Sequence, residues 1–175
     1  MANIYTISAP GTLLYPVNRC VLGVYNGIGS GKIVRVYKIW ALNNQTVAVT
    51  GIPLQFELRK LSTGSGGTPL APIKHDSSSP SLPAQIVASQ NMSYTSSNLL
   101  RRVPWSCDEP VSYTANTIDE IETVPSFNVW WECSYTEANV QPLVLREGEG
   151  LGILQKTANT VGVADFFMEV TVESS

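Results

Sequence analysis

The sequence predicts an all-β domain. Apolar and polar residues alternate along residues 53–61, 127–135 and 166–173, and a period of two residues is that of a strand with one buried face. No stretch keeps a helical period over the roughly 11 residues that a helix assignment needs. Clusters of Gly, Pro, Asn and Ser separate the alternating stretches, as is typical of turns between strands.

The spacing of the apolar and alternating stretches indicates about eight strands with long connections. That number favours two packed sheets over a barrel or a propeller. The sequence shows no internal repeat of roughly 20 to 50 residues, which argues against a solenoid. We therefore predict a single jelly-roll β-sandwich.

The alternation also predicts which side chains face the core. Along residues 53–61 the inward set is Leu54, Phe56 and Leu58. The inward sets of the other two stretches are Phe127, Val129, Trp131, Cys133 and Tyr135, and Phe166, Met168, Val170 and Val172. Between these stretches, Gly148 and Gly150 each follow a glutamate and interrupt a strand, which predicts a β-hairpin or a tight corner.

A chain of 175 residues is long enough for one domain with a sizeable core and too short for two. Residues 1–18 contain two prolines and little periodicity, so we assign them to an extended arm that reaches a neighbour, with an edge strand as the alternative. Residues 19–175 then form the jelly-roll domain. Within it, residues 62–83 are rich in Ser, Gly, Thr and Pro and predict a long loop of the kind that is usually functional or wrapped against a partner.

The composition limits the classes of partner. Charged residues make up 14% of the chain, against roughly 25% in typical soluble proteins. Uncharged polar residues or another subunit must therefore cover the surface. The net charge of −3 gives no electrostatic reason to bind phosphate backbones, so we expect no nucleic acid partner.

The three cysteines, Cys20, Cys107 and Cys133, are an odd set without a CxxC pair, which indicates reduced thiols. The N-terminus lacks the basic and apolar segments of a secretory signal, and no apolar run approaches the roughly 18 residues of a membrane span. We expect a protein that is made and used without crossing a membrane.

Gly29-Ser30-Gly31-Lys32 is similar to part of a phosphate-binding loop. That motif requires a further glycine where Asn26 stands, a Ser or Thr where Ile33 stands, and a helix rather than a strand after it. A hairpin turn accounts better for the glycines, because glycine tolerates positive φ.

Catalytic chemistry finds little support. His75 is the only histidine, whereas the metal site of a cupin-like enzyme needs several ligating side chains. A nucleophile such as Ser77 or Cys107 would also need a third group to orient the histidine, and the sequence places none.

Five carboxylates lie in a polar connection, at Asp108, Glu109, Asp119, Glu120 and Glu122. Their spacing is not that of a calcium loop, and we interpret them as a solvated rim rather than an acid–base pair. We expect no catalytic residue, no metal and no cofactor.

Four tryptophans, Trp40, Trp105, Trp130 and Trp131, raise the hypothesis of sugar binding by ring stacking. The alternation places Trp130 on a polar face, where it is either exposed or covered by a second layer. An exposed tryptophan on a polar face is an effective interface anchor. We therefore favour a subunit contact at Trp130 over sugar binding.

Three stretches resemble a group of tailed-phage virion proteins. They are SGGTPLAPIKHDS at 65–77, LLRR at 99–102 and NVQPLVLREGEG at 139–150, and the resemblance covers roughly residues 33–172. Members of that group are similar to single jelly-roll capsid decoration, or cement, proteins.

The resemblance implies a non-enzymatic homotrimer, assembled in the host cytoplasm, that binds the major capsid protein on the outer surface of the virion. Contacts with several capsid subunits at once would give a tight clamp through multivalency. The contact residues that we expect are Tyr5, Leu13 and Tyr15 of the arm, Thr68, Pro69, Leu70, Pro72, His75 and Asp76 of the loop, and Trp130.

Two further interpretations remain open. The chain is alternatively a receptor- or carbohydrate-binding head of a phage fibre or tail, if Trp105 or Trp130 is exposed. It is alternatively the major shell protein of a small virus, although its acidic balance and the absence of a basic N-terminal arm argue against direct packaging of nucleic acid.

Overall fold

The computed structural model describes residues 3–14, 17–44, 52–107, 127–133, 141–157 and 162–175. Within these ranges the chain forms twelve strands and no helix, which confirms the all-β prediction. The strands are β1 (Asn3–Leu13), β2 (Arg19–Asn26), β3 (Lys32–Asn43), β4 (Ile52–Ser65), β5 (Thr68–Pro69), β6 (Ile73–Lys74), β7 (Ile86–Gln90), β8 (Ser93–Cys107), β9 (Phe127–Glu132), β10 (Leu143–Leu145), β11 (Glu149–Gln155) and β12 (Val163–Ser174).

The strands form two antiparallel sheets that pack as a sandwich. Sheet A has the order β10-β3-β12-β1-β6, and β9 also pairs with β3. Sheet B has the order β5-β7-β2-β11-β4-β8. Strands β9 and β10 share one edge of β3, with β9 beside residues 38–42 and β10 beside residues 34–36. The connection from β10 to β11 passes from one sheet to the other, so the glycines at 148 and 150 mark a corner rather than a hairpin. The turn after β2 is likewise a corner, which corrects the hairpin prediction there.

The core lies between the sheets, and the alternation predicted it correctly in β4 and β12. Phe56, Leu58, Phe166, Met168 and Val170 are fully buried. Four aromatic rings meet at its centre, with centroids 5.0 to 6.2 Å apart. They belong to Phe56, Trp105, Trp130 and Phe166.

The inward face predicted for β9 holds at Trp131 but is wrong at two earlier positions: Val129 pairs with Trp40 on the outer face of sheet A, and Trp130 is buried. Ile39 pairs with Trp131 but Trp40 pairs with Val129, so Trp130 is the extra residue of a β-bulge. A bulge turns two successive side chains towards the same side of a sheet. Trp130 is therefore buried, with only 1% of its surface exposed, while Trp131 is half-buried and packs against the core. Tyr135 lies outside the described residues.

The assignment of residues 1–18 to an arm is also wrong. Residues 3–13 form β1, which pairs with β12 from Asn3↔Val172 to Leu13↔Val163. A register shift at Pro10-Gly11, where Gly11 has φ of 59°, breaks the period of two and hides the strand in the sequence. Tyr15 lies outside the described residues.

The predicted loop at 62–83 contains regular structure. Residues 62–65 continue β4, and the short strands β5 and β6 follow within the same stretch. The sequence does not reveal β5 and β6, because each strand is only two residues long and lies among prolines and glycines. These short segments, with the division of one sheet edge into β9 and β10, raise the strand number above the predicted eight.

Candidate protein-interaction surface

One edge of the sandwich is built jointly by β1 and residues 62–83, which we call the proline-rich segment. Strand β6 pairs with β1 through Tyr5↔Lys74 and Thr6↔Ile73, at the edge of sheet A. Strand β5 pairs with β7 through Thr68↔Gln90, at the edge of sheet B. The segment therefore crosses from one sheet to the other and closes this side of the sandwich. We call the exposed residues of this side the proline-rich edge: Leu13, Thr68, Pro69, Ile73, His75 and Asp76.

Hydrogen bonds to β1 hold the segment in place. The Tyr5 hydroxyl donates to the carbonyl oxygen of Pro80 at 2.7 Å. The His75 backbone N–H donates to the carbonyl oxygen of Ile4 at 3.1 Å, and the His75 ring nitrogen Nε2 lies 2.7 Å from the Thr6 hydroxyl. A surface fixed in this way loses little conformational entropy when a partner binds.

Apolar contacts and a turn complete the anchoring. Leu70 and Leu82 are partly buried and pack against the core. The Asp76 carboxylate accepts hydrogen bonds from the Ser78 hydroxyl at 2.7 Å and the Ser78 N–H at 2.8 Å. These bonds hold the pKa of Asp76 below its usual value. Asp76 thus presents a negative charge from an ordered turn.

The structure divides the predicted contact residues into four groups. Five are exposed: Leu13, Thr68, Pro69, His75 and Asp76. Leu70 and Pro72 are half-buried. Tyr5 and Trp130 are buried, so their proposed contact with a partner is corrected to a role in the core. The position of Tyr15 is outside the described residues.

Ile73 is a surface residue that the sequence reasoning missed. Its side chain is 58% exposed, although it lies in an edge strand beside β1. The available signal was a lone isoleucine between Pro72 and Lys74 in a polar segment. An exposed apolar side chain on an ordered backbone is a good contact residue.

The backbone of this edge resists strand addition. β5 and β6 are each two residues long, and Pro69 and Pro72 lack an N–H group. Short edges and prolines are devices that prevent edge-to-edge pairing. A partner at the proline-rich edge would therefore be recognised through side chains.

Two shallow hollows lie beside this edge, on either side of Tyr5 and Leu82. The larger, of about 420 Å³, is lined by Lys32, Glu173 and the prolines at 80 and 83. The smaller, of about 270 Å³, is lined by Leu70, Pro72 and Ile86 among others. His75 contributes to neither lining. Across the described parts of the chain, no three His, Cys, Asp or Glu side chains are grouped closely enough to hold a metal ion.

The glycine-rich turn after β2 binds a carboxylate of the same chain. Glu147 accepts hydrogen bonds from the backbone N–H groups of Gly31 at 2.6 Å and Gly29 at 3.2 Å. These bonds, from Gly31 first and Gly29 second, lower the pKa of Glu147. Successive N–H groups of this kind form an anion-binding nest. The resemblance to a phosphate loop therefore reflects a real anion site, but Glu147 already fills it.

The described cysteine thiols are structural in character. Cys20 and Cys133 are buried, and burial raises the pKa of Cys20 to about 12. A thiol with such a pKa is almost entirely protonated at neutral pH and is a poor nucleophile.

Comparison with known proteins leaves the family open. No family model matches the chain, and neither the curated proteins nor the solved structures include a significant match. Over the described ranges, no helix is long and apolar enough to cross a membrane.

Proposed function

We propose that the chain is a jelly-roll decoration protein of a phage capsid, a homotrimer that binds the major capsid protein on the outer surface of the virion. Its role is structural rather than enzymatic. The proposal combines the resemblance of residues 65–77, 99–102 and 139–150 with the arrangement of strands and exposed side chains.

The observation that carries the proposal is the nested pairing of strands. β4 pairs with β8, β3 with β9 and β10, β2 with β11, and β1 with β12, all antiparallel. Nested antiparallel pairs describe one long ribbon folded back at the β4–β8 end and rolled into two sheets. A jelly roll has two Greek keys arranged in this manner, so the pairing supports the architecture that the resemblance implies.

The proline-rich edge supplies the proposed contact surface. It includes five residues of the first resembling stretch, and it presents Pro69, Ile73 and His75 from an anchored backbone. Each copy would contribute a modest contact to the capsid. Three copies joined around a three-fold axis would bind with much greater strength, because the second and third contacts become intramolecular.

The absolute mass of the purified protein, measured by size-exclusion chromatography with multi-angle light scattering, tests the oligomeric part of the proposal. We expect one species of about three times 19.0 kDa. A stable monomer would remove the basis for the multivalent clamp. Particles of megadalton mass would instead favour the shell-protein alternative.

A receptor- or carbohydrate-binding head is the second candidate. Its original basis is weakened because Trp105 and Trp130 are buried. A different aromatic pair favours it: the Trp40 and Phe167 rings stack with centroids 5.1 Å apart at a 7° angle. Both are half-buried on the outer face of sheet A. Quenching of tryptophan fluorescence by a glycan panel, lost in Trp40→Ala, would establish this alternative.

A further inference from the structure

The edge opposite the proline-rich edge has a different chemistry. β8 is the last strand of sheet B and pairs only with β4 among the described strands. Its residues Leu99, Leu100, Arg101 and Arg102 are all exposed, and we call them the arginine edge. Register shifts between Leu58 and Leu61 of the paired strand twist the ribbon here. The two adjacent leucines are consequently both accessible, at 39% and 38%.

Strand addition along this edge is hindered by Pro104. Gln55 is paired with Pro104, and Gln55 directs both its N–H and its carbonyl towards residues that follow β11. Gln55 and Pro104 are therefore a non-hydrogen-bonded pair, and the nitrogen of Pro104 faces the free side of β8. Because proline has no N–H, the free side lacks a donor at this point. Recognition at this edge consequently depends on side chains.

A buried carboxylate orients two of the nearby arginines. Glu57 is only 3% exposed, and it accepts hydrogen bonds from Arg59 Nε at 2.7 Å and Arg102 Nε at 3.1 Å. One carboxylate cannot neutralise two guanidinium groups, so the trio keeps a positive charge. The Arg102 side chain remains 62% exposed, which leaves its outer nitrogens accessible to a further acceptor.

Arg101, on the other side of β8, adds a second charge that no carboxylate within the described ranges pairs with. Its Nη1 donates to the carbonyl oxygen of Trp130 at 2.8 Å, which fixes the guanidinium across the gap to sheet A. A carbonyl oxygen carries no formal charge, so Arg101 stays cationic. Among the described residues, Arg59, Arg101 and Arg102 together with Glu57 thus hold two net positive charges, on a chain whose overall charge is −3.

We infer that the arginine edge is a docking surface for an acidic, partly apolar segment of another protein. Preorganised guanidinium groups bind carboxylates through strong, often bidentate hydrogen bonds. The adjoining Leu99 and Leu100 would be covered by apolar side chains of the same segment. Nucleic acid fits less well, because a phosphate backbone needs an extended basic surface. Two exposed leucines cannot pair with phosphate groups. The inference does not depend on the capsid proposal.

The test is binding of a fluorescent peptide in which Glu and Leu alternate, followed by anisotropy at low salt. Matched peptides with Gln or Lys in place of Glu, and a single-stranded oligonucleotide, serve as competing probes. The full chain should bind the Glu peptide best, and salt should weaken the binding. Arg101→Gln/Arg102→Gln should weaken it by about tenfold or more.

The matched control is Lys74→Gln/Arg146→Gln, which removes the same charge from exposed or half-buried positions elsewhere and should leave peptide binding unchanged. Arg101→Gln alone serves if the double variant fails to fold, because it leaves the Glu57 pairs intact; it should weaken binding several-fold. The inference is overturned if the chain does not bind the Glu peptide, if the control loses binding equally, or if the oligonucleotide binds more tightly through the same arginines. Loss of a trimer in the arginine variant would also overturn it, since the occupant would then be a second copy.

Discussion

The hydroxyl of Tyr5 donates a 2.7 Å hydrogen bond to the carbonyl oxygen of Pro80, a residue 75 positions later in the chain. This bond joins the first strand of the domain to the proline-rich segment. The segment is therefore part of the folded domain, and its exposed residues form an ordered surface.

We expect Tyr5→Phe to lower the free energy of unfolding by about 1 kcal/mol, because a partly buried hydrogen bond is lost. Tyr25→Phe is the matched control, since the Tyr25 hydroxyl makes only a long, exposed bond of 3.4 Å to the Ser62 carbonyl. Urea denaturation measures both changes. An equal loss in the two variants would contradict the anchoring role of Tyr5.

The alternation in the sequence predicted the buried faces of β4 and β12 correctly. Neither β4 nor β12 carries a bulge along the stretch where its buried residues pair, so the period of two is kept there. In β9 the same reasoning failed, since the bulge at Trp130 depends on the register with β3. Register is set by tertiary pairing and leaves no trace in the alternation of one strand.

The candidate surface was predicted only in part, and the part that was missed also depends on tertiary pairing. The composition of residues 62–83 identified an unusual segment, and His75 and Asp76 are indeed exposed. The pairing of that segment with β1 joins residues about 70 positions apart, and local patterns do not encode such contacts. Likewise, the positive character of the arginine edge appears only when Glu57 is placed beside Arg59 and Arg102.

Substitution of Trp130 tests whether the aromatic cluster is part of the structural core. We expect Trp130→Ala to lower the free energy of unfolding by about 3 to 5 kcal/mol, because it leaves a large cavity beside Phe56 and Phe166. Trp40→Ala, on the half-buried outer face, should cost clearly less. A Trp130→Ala variant with normal stability would restore the view of Trp130 as an exposed anchor.

Glu57 should make stability depend on pH. Hydrogen bonds from Arg59 first, and from Arg102 as well, outweigh the effect of burial and lower the pKa of Glu57 in the folded state below its ordinary value of 4.5. Its stabilising contribution is therefore complete above that value and is lost as the pH falls through the lowered pKa. At pH 7 we expect Glu57→Gln to lower the free energy of unfolding by about 2 kcal/mol.

The difference between Glu57→Gln and the unchanged chain should shrink as the pH is lowered below 4.5. Chemical denaturation at a series of pH values measures this trend. Glu132→Gln, which removes the exposed partner of Lys38, should cost less than about 1 kcal/mol at pH 7. A Glu57 effect that stays constant down to the lowest pH would argue against the ion pairs as its cause.

Glu147 should control the order of the glycine-rich turn. Glu147→Ala removes the acceptor for the Gly29 and Gly31 N–H groups, so these amides should exchange with deuterium about tenfold faster or more. Glu132→Ala, which changes a carboxylate elsewhere on the surface, should leave their exchange unchanged. Unaltered protection in Glu147→Ala would show that the backbone alone orders the turn.

The most direct test of the proposed function is co-sedimentation of the purified protein with capsids, prepared without the protein, of the phage to which the proposal assigns it. We expect the unchanged chain to bind saturably. Pro69→Ser/Ile73→Ser on the proline-rich edge should weaken binding by about tenfold or more; Ile28→Ser, on the exposed turn between β2 and β3, should bind normally. Failure of the unchanged, folded protein to sediment with such capsids would contradict the account.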